Sequence, residues 1–264
     1  YSSNKHHKQT NLLPSLRILN SGLREVRSGG FSKIIVSSSN VKYIHASNHS
    51  KVLMNQSEVS YIYLKDKSAM RLINSKWLEN VRLTNYSRIE IINSRGISYR
   101  DGITCGSSSK ATIIRTSCGR LYLGDNVSVV VERSKLKDID MYFSNRSVVL
   151  RELKTGNISY WNSFSSAENL NFNFTIMYSE IDEISISISN NTQLKMFDSH
   201  LTFLLTRGES SVYLKNVKTS ILYITDKTKL RVEDSSLSIL ACHHHTEVYA
   251  KNTRISTFIG KGSS

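Results

Sequence analysis

The chain has 264 residues, of which 39% are hydrophobic, so it is long enough to bury a sizeable core. A single proline, 12 glycines and abundant Ser, Asn, Ile and Tyr favour strands over helices and predict an all-β protein. The net charge of +14 predicts attraction to polyanions such as acidic glycans. Because no run of about 18 uncharged apolar residues occurs, no membrane-spanning segment is expected.

Residues 1–13 are polar and basic and do not fit the pattern of the rest of the chain. We therefore expect a flexible N-terminal arm there, followed by one domain over residues 14–264. His6 and His7 lie in this arm without a third ligand at a familiar spacing, so they do not predict a metal site.

A repeat is clearest from Ser50 to Lys67. Its candidate inward residues form three pairs, Val52/Met54, Ser57/Val59 and Ile62/Leu64. The two residues of each pair are two positions apart, which predicts three short strands per coil joined by bends. Such a repeat, recurring about every 18 residues, predicts a solenoid of about thirteen coils. The first inward pairs of these coils are Leu16/Ile18, Ile34/Val36, Val52/Met54, Met70/Leu72, Ile89/Ile91, Ala111/Ile113, Val129/Val131, Val148/Leu150, Phe174/Ile176, Leu194/Met196, Val212/Leu214, Leu230/Val232 and Val248/Ala250.

Small polar residues recur at two further positions of the repeat. Hydroxyl residues at the third inward position can bond to one another or to the backbone and shape a bend. They are Ser39, Ser57, Ser75, Ser94, Thr116, Ser134, Ser179, Ser199, Ser235 and Thr253. Turn positions carry Asn48, Asp66, Asn85, Asp125 and Asp226, whose short side chains tolerate αL geometry.

The three cysteines, Cys105, Cys118 and Cys242, fall at inward positions, where they are expected to act as small hydrophobic residues. A disulfide between Cys105 and Cys118 is left open. Eight Asn-x-Ser/Thr sequons mildly favour an extracellular or surface-associated glycoprotein. They begin at Asn48, Asn55, Asn85, Asn126, Asn145, Asn157, Asn173 and Asn190.

Two longer coils border the face built by the third strands, which we call the third face. One insertion runs from Arg95 to Asp101 and the other from Trp161 to Asn171. Between them, the outward positions of the third face carry Arg120, Tyr122, Asp138, Asp140, Asn157 and Ser159, with Glu183 one coil further on. Asp138, Asp140 and Glu183 are candidates for acid/base cleavage of a glycosidic bond, and Arg120 and Tyr122 for binding an acidic sugar. The other interpretation is a patch of exposed charges paired with Arg120.

The third face becomes apolar in the last four coils. Its outward residues there are Phe203, Leu205, Ile221, Tyr223, Ile239, Ala241, Thr257 and Ile259. A sheet that is apolar on both sides has to be covered, so we expect a second copy of the chain to bind this surface. Folding-back of the N-terminal arm is the other candidate cover.

Four further clusters favour no specific ligand. Lys33, Lys51, Arg88, Lys110 and Lys229 share one outward column, and Arg71, Lys195 and Arg231 share another; both are interpreted as solvated surface. Tyr43, Tyr61, Tyr63, Tyr122 and Arg82 are the best candidates for a nucleic-acid platform, but they are too few to favour nucleic acid as a partner. His243, His244 and His245 lie at a turn, and neither a metal nor a cofactor is expected.

The repeat resembles the right-handed parallel β-helix superfamily, whose coils carry three short strands with stacked inward columns. Its short coil is more similar to the regular solenoids of polymerising proteins such as bactofilins than to the longer coils of pectate lyases. The calcium-binding and catalytic motifs of the lyases have no matching residues here. The resemblance therefore implies a single parallel β-helix without implying the lyases' activity.

The favoured hypothesis is a non-catalytic structural or adhesive protein at a cell or particle surface. It would self-associate as an oligomer or filament through the apolar third face and its ends. The other hypothesis is a polysaccharide-active or glycan-binding protein that acts on acidic glycans.

Overall fold

A computed structural model describes residues 15–97, 102–142, 146–161, 172–187 and 192–261. All regular structure in these ranges is β-strand, and they contain no helix that is long and apolar enough to cross a membrane. The strands are β1 (Ser15–Leu19), β2 (Gly22–Ser28), β3 (Lys33–Ser37), β4 (Asn40–Ala46), β5 (Lys51–Asn55), β6 (Glu58–Leu64), β7 (Ala69–Ile73), β8 (Lys76–Leu83), β9 (Arg88–Ile92), β10 (Arg95–Gly96), β11 (Gly102–Cys105), β12 (Lys110–Ile114), β13 (Ser117–Leu123), β14 (Ser128–Glu132), β15 (Lys135–Tyr142), β16 (Arg146–Arg151), β17 (Lys154–Trp161), β18 (Phe172–Met177), β19 (Glu180–Ser187), β20 (Thr192–Phe197), β21 (His200–Arg207), β22 (Ser210–Lys215), β23 (Lys218–Ile224), β24 (Lys229–Glu233), β25 (Ser236–His243), β26 (Glu247–Lys251) and β27 (Arg254–Lys261).

The strands form two parallel sheets that wind around a common core. A 13-stranded sheet runs from β1 to β26, and a 14-stranded sheet runs from β2 to β27. Each strand pairs with its equivalent in the next coil, so that Lys33 lies opposite Lys51 and Ile34 opposite Val52. The chain is therefore a parallel β-solenoid of about 12 turns with roughly 18 residues per turn, which confirms the predicted fold class.

The structure differs from the prediction in how each coil is divided. The second and third predicted strands form one continuous bent strand, as in β6, so the coils have two strands instead of three. The exception is the coil of β9, β10 and β11, where the second and third strands are separate. The pairing of β4 with β6 passes from Val59 directly to Tyr61, and the buried residues Val59 and Ile62 lie three positions apart. The backbone thus bends at Ser60 without leaving the sheet. We call the 13-stranded sheet the first face, and the N-terminal and C-terminal halves of the long strands the second and third faces.

The core is built from the inward columns and is mainly apolar, with buried Ser and Thr residues such as Ser50, Ser75 and Ser109 at the corners. Its largest fully buried side chain is Trp77, whose partner in the next coil is Gly96, a residue with no side chain. All three cysteines are buried, as predicted, and Cys105 is a free thiol, so no disulfide joins it to Cys118. Burial raises the pKa of Cys105 to about 12, which keeps it protonated and unreactive.

The predicted hydroxyl column joins consecutive coils at the corner between the first and second faces. Ser57 Oγ donates to the carbonyl of Asn55 at 2.7 Å and accepts the N–H of Ser39 at 3.1 Å. The intervening Gln56 has a φ of 48°, so the corner is made by one αL residue. The hydroxyl thus satisfies backbone groups at a point where the chain changes direction. Both bonds recur at Ser39, Ser75, Ser94, Ser134, Ser179, Ser199 and Ser235.

The predicted αL turn residues agree with the structure at four of five positions. Asn48, Asp66, Asn85 and Asp226 have φ values of 50°, 52°, 52° and 63°. At the fifth, the positive φ falls one residue later than predicted, on Asn126.

Both insertions begin later than predicted. Arg95 and Gly96 keep their places in the sheet opposite Lys76 and Trp77, so the extra residues follow Gly96. Trp161 likewise belongs to β17. Residues 98–101 and 162–171 lie outside the described residues, as do the predicted N-terminal arm and its two histidines.

Candidate functional site

The outward side of the third face carries two columns whose chemistry changes along the solenoid. Strand pairing places Arg120, Asp138, Asn157, Glu183 and Phe203 in one column. It places Tyr122, Asp140, Ser159, Ser185 and Leu205 in the other. The candidate sugar-site residues therefore share one surface, and Glu183 is separated from Asp138 by the coil of Asn157.

Arg120 organises the charged part of this surface. Its Nε donates to Asp138 Oδ2 at 3.3 Å and its Nη1 donates to the Tyr122 hydroxyl at 3.1 Å. Both bonds raise the pKa of Arg120, and the bond to Tyr122 has the larger effect. The Asp138 side chain is only 14% exposed, whereas that of Arg120 is 48% exposed. Arg120 thus lies over Asp138 and limits the access of a ligand to this carboxylate.

Asp140 occupies a different environment from Asp138. Partial burial raises its pKa above the usual aspartate value, the positive charge of Arg120 opposes this, and the negative charge of Asp138 adds to it. The two carboxylates project from one side of the same strand, with Cα atoms roughly 6.6 Å apart. Pairs of carboxyl groups in unlike environments are typical of acid/base sites.

A groove of about 900 Å³ follows the bend between the second and third faces beside these residues. Gly119, Lys137 and Gly156 occupy the bend in three successive coils, and the two glycines leave the surface open. Lys154 and Glu180 form an ion pair of 2.9 Å on its second-face side. Sequence reasoning missed this groove, although the glycines at equivalent positions are a signal for it.

The apolar part of the third face is continuous over four coils. Strand pairing aligns Phe203, Ile221, Ile239 and Thr257 in one column and Leu205, Tyr223, Ala241 and Ile259 in the other. We call these eight residues the apolar patch. Ile221 is 36% exposed and Ile259 is 48% exposed, while Phe203, Leu205, Tyr223 and Ile239 are half-buried and Ala241 is buried. Each side chain of the apolar patch is covered on its sides by its equivalents in adjacent coils, and its outer end faces solvent.

Comparison with known proteins adds no functional assignment. No family model, curated protein or solved structure matches the chain. Function is therefore inferred from the geometry of the chain's own residues.

The aromatic residues near the start of the third face pack on one another. The rings of Tyr43 and Tyr61 stack with centroids 5.2 Å apart and an interplanar angle of 13°. His45 meets Tyr63 edge-on at 6.0 Å. Because Tyr43 and Tyr61 cover each other's inner face, less ring surface is left for bases to stack on. Tyr122 is set apart from this cluster, since Thr104 lies between it and Arg82 in the column.

The described residues contain no group of three or more His, Cys, Asp or Glu side chains that could hold a metal ion. The rings of His243 and His244 are 6.4 Å apart, and the ring of His243 packs on that of Tyr223 at 5.0 Å. These contacts account for the position of His243 at the edge of the apolar patch.

Proposed function

We propose that the protein is a non-catalytic structural solenoid, acting at a cell or particle surface, that associates with further copies of itself through the apolar patch. The observation that carries this proposal is that inward apolar and outward polar residues no longer alternate along the third face in the last four coils. There, outward residues such as Phe203 and Ile221 are apolar, although their strand neighbours Leu204 and Leu222 already fill the core. In earlier coils the same outward columns carry Asp138, Asn157 and other polar residues.

The size of the apolar patch sets the expected strength of association. Four strands at a spacing of about 4.8 Å and two columns of side chains give an area on the order of 200–300 Å². A stable protein–protein interface buries about 800 Å² on each partner. The apolar patch alone therefore supports weak association, which depends on protein concentration and is strengthened if several copies assemble.

Analytical ultracentrifugation over a range of protein concentrations tests this proposal. We expect the mean mass of the wild-type protein to rise with concentration. The double substitution Ile221→Asp and Ile239→Asp places two charges in the apolar patch and should leave a monomer. The matched control is Val130→Asp with Val149→Asp, two outward, half-buried valines that are strand neighbours on the first face. A wild-type protein that stays monomeric, or a control that abolishes association equally, would contradict the proposal.

The second candidate function is the binding or cleavage of an acidic polysaccharide at Asp138 and Asp140. Three features support it: the raised pKa of Asp140, the ion pair of Asp138 with Arg120, and the adjoining groove. A panel of acidic and neutral polysaccharides should then show cleavage that is lost in Asp138→Asn or Asp140→Asn. The absence of cleavage by the wild-type protein would leave Arg120 and Tyr122 as binding residues only. Loss of polysaccharide binding in Arg120→Gln would test that role.

A further inference from the structure

The first face carries a column of basic residues that is interrupted by one alanine. Strand pairing aligns Lys33, Lys51, Ala69, Arg88 and Lys110 on β3, β5, β7, β9 and β12. All four basic residues are exposed, and the chain places one in each coil except that of Ala69. At a strand spacing of about 4.8 Å the column spans roughly 19 Å along the solenoid.

The short side chain of Ala69 leaves a groove in this column. The groove has a volume of about 520 Å³ and lies between Lys51 and Arg88, with Leu53 and Arg71 beside it. Lys33 and Lys110 line its two ends along the solenoid axis. We call it the basic groove. It combines an apolar floor with positive charges on each side, which a flat, fully solvated row of lysines would not provide.

The positive charge of the basic groove is largely uncompensated. Arg71 is neutralised by Glu90, whose Oε2 lies 2.6 Å from Arg71 Nε. Within the described ranges, none of the observed ion pairs involves Lys33, Lys51, Arg88 or Lys110. By contrast, Lys229, which shares their column near the other end of the solenoid, lies 3.4 Å from Glu247. Residues 15–97 contain 13 Lys or Arg and five Asp or Glu, so this third of the chain carries +8 of the net charge of +14.

We propose that the basic groove binds a linear acidic polysaccharide lying along the solenoid axis. A polysaccharide with a carboxylate or sulfate on each sugar repeats its charge at an interval close to the strand spacing. Each coil except that of Ala69 can then contribute one cation to the chain of sugars, and the gap at Ala69 admits a sugar ring between Lys51 and Arg88. This site lies on a different face from Arg120 and Asp138 and does not depend on self-association.

The lining of the basic groove favours a polysaccharide over a nucleic acid. Single-stranded nucleic acids gain about 1–3 kcal/mol per base from stacking on aromatic side chains. The residues that line the groove include no aromatic residue. The stacked tyrosines Tyr43 and Tyr61 lie on the third face, away from the first-face column. The basic groove thus offers charge contacts without a stacking platform.

Fluorescence anisotropy with labelled polygalacturonate and labelled dextran sulfate tests the proposal on the full chain. The double substitution Lys51→Gln and Arg88→Gln should weaken binding at least roughly tenfold and flatten the dependence of affinity on salt, because fewer counterions are released. The matched control, Lys195→Gln with Lys229→Gln, removes the same charge from the first face outside the basic groove. The control should bind nearly as tightly as the wild-type protein.

A third variant separates the shape of the groove from its charge. Ala69→Gln fills the gap without changing the charge, so it should weaken binding although all four cations remain. Circular dichroism of each variant checks that the solenoid is intact. Binding of only one of the two polymers would identify the acidic group and support the proposal. Equal losses in the groove and control variants, no effect of Ala69→Gln, or tighter binding of single-stranded DNA than of both polysaccharides would each overturn it.

Discussion

A single hydroxyl stabilises most corners between the first and second faces, with Leu153 and Val217 as exceptions at this position. Ser75 is buried, and its Oγ donates to the carbonyl of Ile73 at 2.7 Å and accepts the N–H of Ser57 at 3.1 Å. The carbonyl of Ile73 also accepts the N–H of Gln56 at 3.1 Å, so it keeps a partner if the hydroxyl is removed. The N–H of Ser57 would lose its bond to the hydroxyl, and its desolvation would then be uncompensated. The column of serines is thus a structural feature, and a nucleophile role for any of them is not supported.

The substitution Ser75→Ala should therefore lower the free energy of unfolding by about 1–3 kcal/mol, the cost of leaving the backbone N–H of Ser57 without a partner. Urea denaturation followed by circular dichroism measures this change. Ser211→Ala is the control, since Ser211 is an exposed outward residue of β22. Its effect should stay within about 0.5 kcal/mol. Equal effects of the two substitutions would show that the corner hydroxyl is dispensable.

Asp140 should make stability depend on pH in a defined direction. Its pKa is raised in the folded state, mainly by burial. Between the unfolded and folded pKa values the native protein binds more protons, so the stability contributed by Asp140 falls as pH rises through this window. Asp140→Asn removes this effect. The stability of the variant minus that of the wild-type protein should therefore be larger at neutral pH than at a pH of about 3.5. Thermal denaturation at several pH values measures this difference, and a difference that is constant with pH would contradict the expectation.

At the scale of the strand, the sequence predicted the positions of the bends better than the limits of the strands. Inward residues are two positions apart within each predicted strand but three positions apart from Val59 to Ile62. This change of spacing is visible in the sequence and marks the bend correctly. Whether a strand ends there depends on whether the backbone groups around Ser60 remain paired with the neighbouring coils. Val59 and Tyr61, on either side of Ser60, remain paired with both neighbouring coils, with a register shift on the side of β8. This property of adjacent backbones leaves no trace in the residue pattern.

The bend also explains one glycine. A Cβ atom added to Gly156 would lie 2.9 Å from the carbonyl oxygen of Lys137, a backbone atom that cannot move away independently. Gly156→Ala should therefore lower the free energy of unfolding by roughly 1–3 kcal/mol. Gly22→Ala is the matched control, because no atom lies within 4 Å of the added Cβ. Guanidinium denaturation of both variants tests the pair. Equal stability of the two variants would mean that the coils can separate at the bend at no cost.

Grooves were harder to predict than columns of side chains. The outward columns of Asp138 and Ile221 follow from counting along the repeat, and the structure aligns them accordingly. The basic groove depends instead on a small residue, Ala69, lying in register between Lys51 and Arg88. The partial burial that raises the pKa of Asp140 likewise depends on neighbouring coils. Empty space and burial are products of several coils together, so a single coil of sequence does not reveal them.

For the whole molecule, the solenoid separates two surfaces of opposite character. The basic groove lies on the first face in the N-terminal coils, and the apolar patch lies on the third face in the C-terminal coils. Added salt should affect them in opposite ways. Screening weakens the attraction of the basic groove for a polyanion, but it also weakens the repulsion between two copies with a net charge of +14 each.

A salt titration from about 0.05 M to about 0.5 M should therefore lower polysaccharide affinity while increasing the mean mass of the protein. Anisotropy and ultracentrifugation on the same samples measure the two effects. The Ile221→Asp and Ile239→Asp variant should keep the first effect and lose the second. If both quantities fell together as salt increased, association would be driven by charge instead of by apolar contact.

The stacking of equivalent strands also determines how the protein should respond to a pulling force. Each strand pairs only with its equivalents in adjacent coils, so the molecule can be peeled from one end, coil by coil. An 18-residue coil should release roughly 60 Å of chain. Two coils are longer: Lys110 follows its partner Arg88 by 22 residues, and Asn173 follows Ser147 by 26 residues. In an optical trap the extension trace should show nearly equal steps with two longer ones, whose order reports the end from which the solenoid unravels.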